Sequence, residues 1–378
     1  MIYTHSVKIS KKMKRRIMKG HVFSFAIFVL AMFVFFGCEQ SSTPVANSTM
    51  NKTDAGMEKL PAGGNIVVAN RASGTISVID VTTDQAQTVA LPGGSNTPEP
   101  MYVVYVATNN TVFVGDRAND RVVAFDASSF SVKGTIPAGA GVFHMWADPR
   151  GRQLWVNNDI DKTITVIDPQ SMSVVTTIDM PADLEAAGGK PHDVILDPLG
   201  KLAFVSVLGL PGASDVVVQY STRFFVETGR ADVGKDPHLS LTQRNDLLYV
   251  PCQNSDAVYI LDRRSMNVVD ILDVPGAHGA GMALDGETFY TTNLPGGGPA
   301  GLWTIDVATN SVLAHTDAPF SVPHNIALTP NADKLYITHS GGSADKVSVY
   351  KIEKGEQVPM LIGDVTVGLN PFGLAFAY

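Results

Sequence analysis

Residues 323–351 read PHNIALTPNADKLYITHSGGSADKVSVYK. An apolar strand opens on Pro-His and ends at a turn of Thr, Pro, Asn and Asp. A second strand, KLYITH, then runs into Gly-Gly, and a third, KVSVYK, follows. Apolar and polar residues alternate along the third strand with a period of two, the period of a strand half-buried in a sheet. The same unit recurs along the chain. Its openings are PHDVILDPLGK (191–201), PHLSLTQRND (237–246), HGAGMALDGE (278–287), FHMWADPRGR (143–152) and, more loosely, PMYVVYVATNN (100–110). The third strands are the most regular: TISVID (75–80), TITVID (163–168) and AVYILD (257–262).

Openings at 100, 143, 191, 237, 277, 323 and 371 make seven copies, spaced by 40 to 48 residues. That spacing suits one four-stranded antiparallel sheet per copy, the unit of a β-propeller. The sequence therefore predicts an all-β, seven-bladed propeller over 65–378. The ends of the repeat also predict how the ring closes. The run from Asn65 begins on a second strand, and the chain ends on NPFGLAFAY (370–378), a first strand with no successor. The C-terminal strand is expected to complete the N-terminal blade and so remove the open sheet edges.

IVVANRASGTISVID (66–80), WVNNDIDKTITVID (155–168) and LYVPCQNSDAVYILD (248–262) resemble the repeat of the YVTN-type β-propellers of bacteria and archaea. The resemblance covers nearly all of 65–378. It implies the propeller fold and a range of functions: extracytoplasmic binding proteins, surface-layer proteins, lactonases, and propellers that carry haem or copper.

The first 37 residues read as an export signal. A basic head, Lys11 to Lys19, precedes the uncharged stretch Val22–Phe36, which ends at Gly37-Cys38. Such a short run is below the roughly 20 residues needed to span a bilayer. Gly37-Cys38 resembles the end of a bacterial lipobox, which makes Cys38 the expected lipidation site, although Phe35 stands where Leu is usual. Residues 38–64 are polar and aperiodic, as a flexible tether would be. The expected location is thus the cell envelope, with the protein anchored by lipid and facing the periplasm or the cell exterior. Glu39 after the Cys resembles lipoproteins sent on to an outer membrane.

Without residues 1–37 the chain keeps 21 basic against 36 acidic side chains, a net charge of −15. So acidic a body argues against nucleic acid as a partner. Cys38 and Cys252 are the only cysteines; with Cys38 acylated, no disulfide framework exists. The absence of CxxCH excludes covalent haem, and no GxSxG, HExxH or P-loop pattern is present.

Histidine carries the chemistry. Of nine His, five align at one repeat position: His144, His192, His238, His278 and His324, with Met101 and Phe372 in the other two blades. First strands line a propeller's axis, so these imidazoles are expected to converge there. Convergent neutral imidazoles suit copper or zinc, with Asp193, Asp236 and Asn325 placed to orient the rings. The alternatives are that Pro-His merely tiles the channel, copied from blade to blade by duplication, or that the ring meets an anionic or polar ligand. The ring resembles in outline the copper site of nitrous oxide reductase. It has five His rather than seven, however, and no further domain with Cys and His ligands, which argues against reductase activity. Arg71, Arg117 and Asp116 stand at second-strand ends where an anion could be met, and His339 and Cys252 stand at others. The leading functional expectation is an envelope-anchored propeller that binds a small molecule or a protein partner at the channel mouth or on its loops. A copper-dependent oxidoreductase and a lactonase-like hydrolase are the alternatives.

Replacing Cys38 with Ser is expected to move the protein from the detergent phase to the aqueous phase and to remove the mass of the acyl chains, because those chains supply the retention. Unchanged partitioning and mass would assign anchoring to the apolar segment itself.

Overall fold

The computed structural model describes residues 63–242, 246–294 and 299–378. The export signal, Cys38 and the tether lie outside the described residues. Among the described residues, 28 strands form seven four-stranded sheets, each antiparallel throughout. No helix there is long and apolar enough to cross a membrane.

Six of the seven blades run outward in chain order. In the fourth, for example, Lys190–Leu196 is innermost, followed by Leu202–Leu208, Asp215–Ser221 and Val226–Val233. Burial follows that order. The second strands are buried at nearly every position, whereas outermost strands such as Ala86–Ala90 alternate exposed and half-buried residues. The middle strands read as continuous Val/Ile runs because neighbouring blades cover both of their faces.

Ring closure is as the repeat predicts. Pro371–Ala377 is the inner strand of the first blade and pairs antiparallel with Asn65–Asn70, matching Ile66 to Phe376 and Val68 to Leu374. The Ile-Asp ending of the third strands also has a physical cause. Asp80 Oδ1 accepts the Thr82 and Thr83 amides at 2.8 Å, and Asp262 Oδ1 accepts the Ser265 amide at 2.8 Å. The next residue, Asp84 or Met266, takes a left-handed φ of 54° or 60°, and its amide bonds back to the Asp carbonyl at 2.8 Å. The aspartate thus folds the tight outer hairpin by capping its amides. The one α-helix among the described residues, Ala182–Ala186, falls in the insertion before the fourth blade.

Deleting residues 371–378 strips the first blade of its inner strand and exposes strand edges on both sides of the gap. The expected outcome is aggregation or a broad, multi-step thermal transition by calorimetry. A truncated protein as soluble and cooperative as the parent would contradict the interlock.

Candidate functional site: an imidazole wall at the propeller axis

All seven inner strands start alike. Pro100 pairs with Asp116, Val142 with Asn158, Pro191 with Val207, Ala277 with Asn293, Pro323 with His339 and Pro371 with Asn70; Pro237 bridges Cys252. In the six blades with a longer inner strand, the register then shifts before pairing resumes. The shift releases two residues in each of those six blades towards the axis; in the fifth the register is unbroken, and the His238 amide donates to the Pro251 carbonyl at 2.8 Å. The first of the two in each blade form one ring: Met101, Phe143, His192, His238, His278, His324 and Phe372. The second form another beneath it: Tyr102, His144, Asp193, Leu239, Gly279, Asn325 and Gly373.

This register corrects one sequence expectation. Four histidines, not five, share the equivalent position. His144 lies one residue further on, in the second ring, and Phe143 takes the place expected of it. All five imidazoles nevertheless converge. Neighbouring ring centroids are 5.2 Å apart for Phe143–His192, 4.6 Å for His192–His238, 3.9 Å for His238–His278, 4.6 Å for His278–His324 and 4.3 Å for His324–Phe372. His144 closes the group from below, 5.0 Å from His192 and 5.5 Å from His238, with Tyr102 against it at 3.7 Å. The axis at this level is packed with side chains, three apolar (Met101, Phe143, Phe372) and four imidazole.

Backbone groups freed by the register shift are capped by hydroxyls from the second strands. Thr292 Oγ1 accepts the Gly279 amide at 2.9 Å and donates to the His324 carbonyl of the next blade at 2.7 Å. Thr338 Oγ1 accepts the Asn325 amide at 3.1 Å and donates to the Phe372 carbonyl at 2.7 Å. Ser206 Oγ accepts the Asp193 amide at 2.9 Å. The blades approach so closely that a Cβ at Gly279 would collide with the His324 carbonyl oxygen, which explains glycine there.

Asp193 organises the polar half. Its carboxylate accepts the Leu239 amide at 2.8 Å and the Val194 amide at 2.7 Å, and it lies 2.8 Å from His144 Nδ1. Asn325 Nδ2 lies 2.7 Å from His324 Nδ1. His192 Nε2 and His238 Nε2 are 3.2 Å apart, and Asp236 Oδ1 is 3.8 Å from His192 Nε2. Burial holds His144, His192 and His278 well below the usual imidazole value and pushes His238 and His324 down to about 3. Neighbouring imidazoles push His192, His238, His278 and His324 the same way. All five are therefore neutral near pH 7. Burial raises Asp193 and Asp236. Buried nitrogens without partners remain: His144 Nε2 and both ring nitrogens of His278.

His192 is the imidazole that faces outward, its side chain 15% exposed against 3% for His238. Around it lies the mouth. The Arg71 guanidinium sits 5.5 Å from the Phe372 ring centre and the Arg117 guanidinium 5.6 Å from that of Phe143. Arg71 pairs with Glu99 at 2.6 Å and Arg117 with Asp159 at 2.8 Å. Beside them a cleft of about 410 Å³ is lined by Arg71, Pro98, Glu99, Ala118 and Asn370.

The remaining candidates lie elsewhere. His339 bonds Ser321 O and Ser348 Oγ, and buried Cys252 donates to Val250 O. Asp116 binds Arg121 at 2.9 Å and accepts the Glu99 amide at 2.9 Å, so its carboxylate is taken up in holding the edge of the mouth. Tyr102 and Phe143 were not anticipated from the sequence.

The chain matches the family model "Lactonase, 7-bladed beta-propeller" over residues 38–269, more than half its length, and belongs to that family. The YVTN-type resemblance rests on the repeats alone. No curated protein matches the chain. Among solved structures it is similar to Kuenenia stuttgartiensis hydrazine synthase, with 17% identity and a TM-score of 0.65 over 75% of this chain and 91% of that one. It is also similar to the periplasmic gluconolactonase PpgL of Pseudomonas aeruginosa, with 16% identity and a TM-score of 0.64 over 83% and 99%. A Desulfotomaculum acetoxidans protein of unknown function gives 12% and 0.66 over 83% and 99%. At these identities the likeness is one of fold.

Because the native imidazoles are neutral while unfolded histidines bind protons below about pH 6.5, stability falls as pH drops from about 6.5 towards 3. His324→Phe, which copies Phe372 of the next blade, removes one such group. It should flatten the pH dependence of unfolding free energy between pH 6 and 4 by about 1.4 kcal/mol per pH unit. An unchanged slope in denaturant titrations would show that His324 is not held neutral.

Proposed function

We propose that the protein opens the ring of a sugar lactone by hydrolysis at the mouth of the axis. The observation that carries this reading is the pairing of an outward-facing imidazole with a carboxylate, His192 Nε2 and Asp236 Oδ1 at 3.8 Å, at a mouth bearing two arginines, in a chain of the lactonase family. The PpgL neighbour, described as a gluconolactonase, suggests the substrate class.

A lactone seated on the apolar half, against Phe143 and Phe372, turns its carbonyl towards the guanidinium groups, which stabilise the developing oxyanion. Water held between His192 and Asp236 adds its oxygen to the carbonyl carbon and gives its proton to the carboxylate. The ring C–O bond then breaks. The ring oxygen takes that proton and leaves as a hydroxyl, giving the open hydroxy acid. Atoms balance with water alone.

The test is a panel of five- and six-membered sugar lactones followed by pH indicator, with spontaneous hydrolysis subtracted. Turnover of at least one lactone is expected. Asp236→Asn should reduce kcat/KM by about 100-fold or more, and Arg117→Ala by about 10- to 100-fold. Hydrolysis no faster than in buffer across the panel would overturn the reading, and saturable lactone binding without turnover would make the site a binding module.

A further inference from the structure

Below the mouth, one ring nitrogen from each of His144, His192 and His238 lies within 4.8 Å of the others, the one such cluster of metal-ligating groups among the described residues. Three further observations point to a ligand there. The Nε2 atoms of His192 and His238 are 3.2 Å apart, close to the roughly 3.3 Å that two nitrogens adopt around a tetrahedral ion at 2.0–2.1 Å. His144 is 5% exposed, and its Nε2 is buried with no partner. Its Nδ1 is held 2.8 Å from the Asp193 carboxylate, whose other oxygen is 3.9 Å from His238 Nδ1. A carboxylate bonded to Nδ1 fixes the tautomer and leaves Nε2 as the lone-pair donor, the arrangement that orients histidine ligands at metals.

We infer that His144, His192 and His238 form a three-histidine site for a divalent transition-metal ion, copper or zinc, with Asp193 as its orienting carboxylate. The structure thereby narrows the five-histidine expectation to three. His278 and His324 continue the imidazole wall outside the site. Three histidines leave a fourth coordination position open, and the outward-facing His192 places that opening on the side of Asp236 and the mouth. Copper binds more tightly than zinc, following the affinity order of imidazole sites. The wider nitrogen separations close on loading by ring rotation, which the unpartnered His144 Nε2 leaves free of competing bonds. This inference goes beyond the lactonase reading and does not rest on it.

The test is titration of the full-length protein, stripped by chelation, with Cu²⁺ and with Zn²⁺ separately, using calorimetry and elemental analysis. One ion per chain is expected, together with a rise in melting temperature. His192→Ala and His238→Ala should each weaken binding at least 100-fold, and Asp193→Asn about 10- to 100-fold. His324→Ala should leave affinity unchanged. Should His238→Ala fail to fold, the part-exposed His192→Ala decides the question. Absence of saturable binding, or equal affinity in wild type and His192→Ala, would overturn the site. Assaying lactone turnover before and after chelation separates the two proposals. Turnover with no bound ion leaves hydrolysis standing alone, and a bound ion without turnover leaves the metal site standing alone.

Discussion

Seven inner strands start around a single axis, and the space they leave sets the terms for everything at the site. In six of the seven blades the inner strand shifts its register as it begins, turning two side chains into that space; the fifth keeps its register, with Pro237 opposite Cys252 and Ser240 opposite Tyr249. The shift costs those six blades two ladder positions each, and buried amides left unpaired would be expensive. Ser206, Thr292 and Thr338 offset that cost in their blades, and two of the three reach across to the neighbouring blade's carbonyl. In the sixth and seventh blades the hydroxyl that satisfies the bulge is therefore the same one that staples the adjacent blade. In the third blade the equivalent second-strand residue is Asn157, whose side-chain atoms are buried without partners, directly behind the strand that carries His144.

Crowding at the axis also decides protonation. Five charged imidazoles at 4–5 Å spacings would repel one another in a low-dielectric interior, so the wall can exist only if its rings stay neutral. Neutrality leaves each ring one donor and one acceptor to place. Asp193 and Asn325 place two of them, while the His192–His238 contact needs one nitrogen to donate to the other. His278, with neither nitrogen partnered, and His144, with Nε2 unpartnered, carry the unmet demand of the set. A wall that is neutral, buried and short of partners is chemically a store of lone pairs.

Much of this was legible in the sequence. The repeat period gave the blade count, the mismatched ends gave the closure, and His recurring after Pro gave the convergence. The position of His144 was misread because Phe-His was matched to Pro-His by composition. Register was the better guide: His192 stands five residues before Asp197, whereas His144 stands four before Asp148. Counting back from the Asp-Pro turn would have moved His144 one place along the strand. Tyr102 and Phe143 were hidden for a different reason. Nothing local distinguishes an apolar residue that faces the axis from one that faces a neighbouring blade, and only the register shift decides. His315, on an outer strand, is half-buried against Trp303 at a centroid distance of 4.4 Å, a contact made across the hairpin.

Sevenfold repetition makes positions equivalent, and function requires that the equivalence be broken. The first ring breaks it by halves: imidazole from the fourth to the seventh blade, apolar from the first to the third. The second ring breaks it once more, since only the fourth blade places a carboxylate there; its counterparts are Tyr102, His144, Leu239, Gly279, Asn325 and Gly373. Asp193 can therefore orient imidazoles only on its own side, and it does so for His144 in the preceding blade while facing His238 in the following one. Had His144 stood at the position the repeat suggests, in the first ring, it would have been one residue short of the level at which Asp193 holds it. The one-residue displacement that defeated the alignment is thus what allows a single carboxylate to gather histidines from both neighbouring blades around His192.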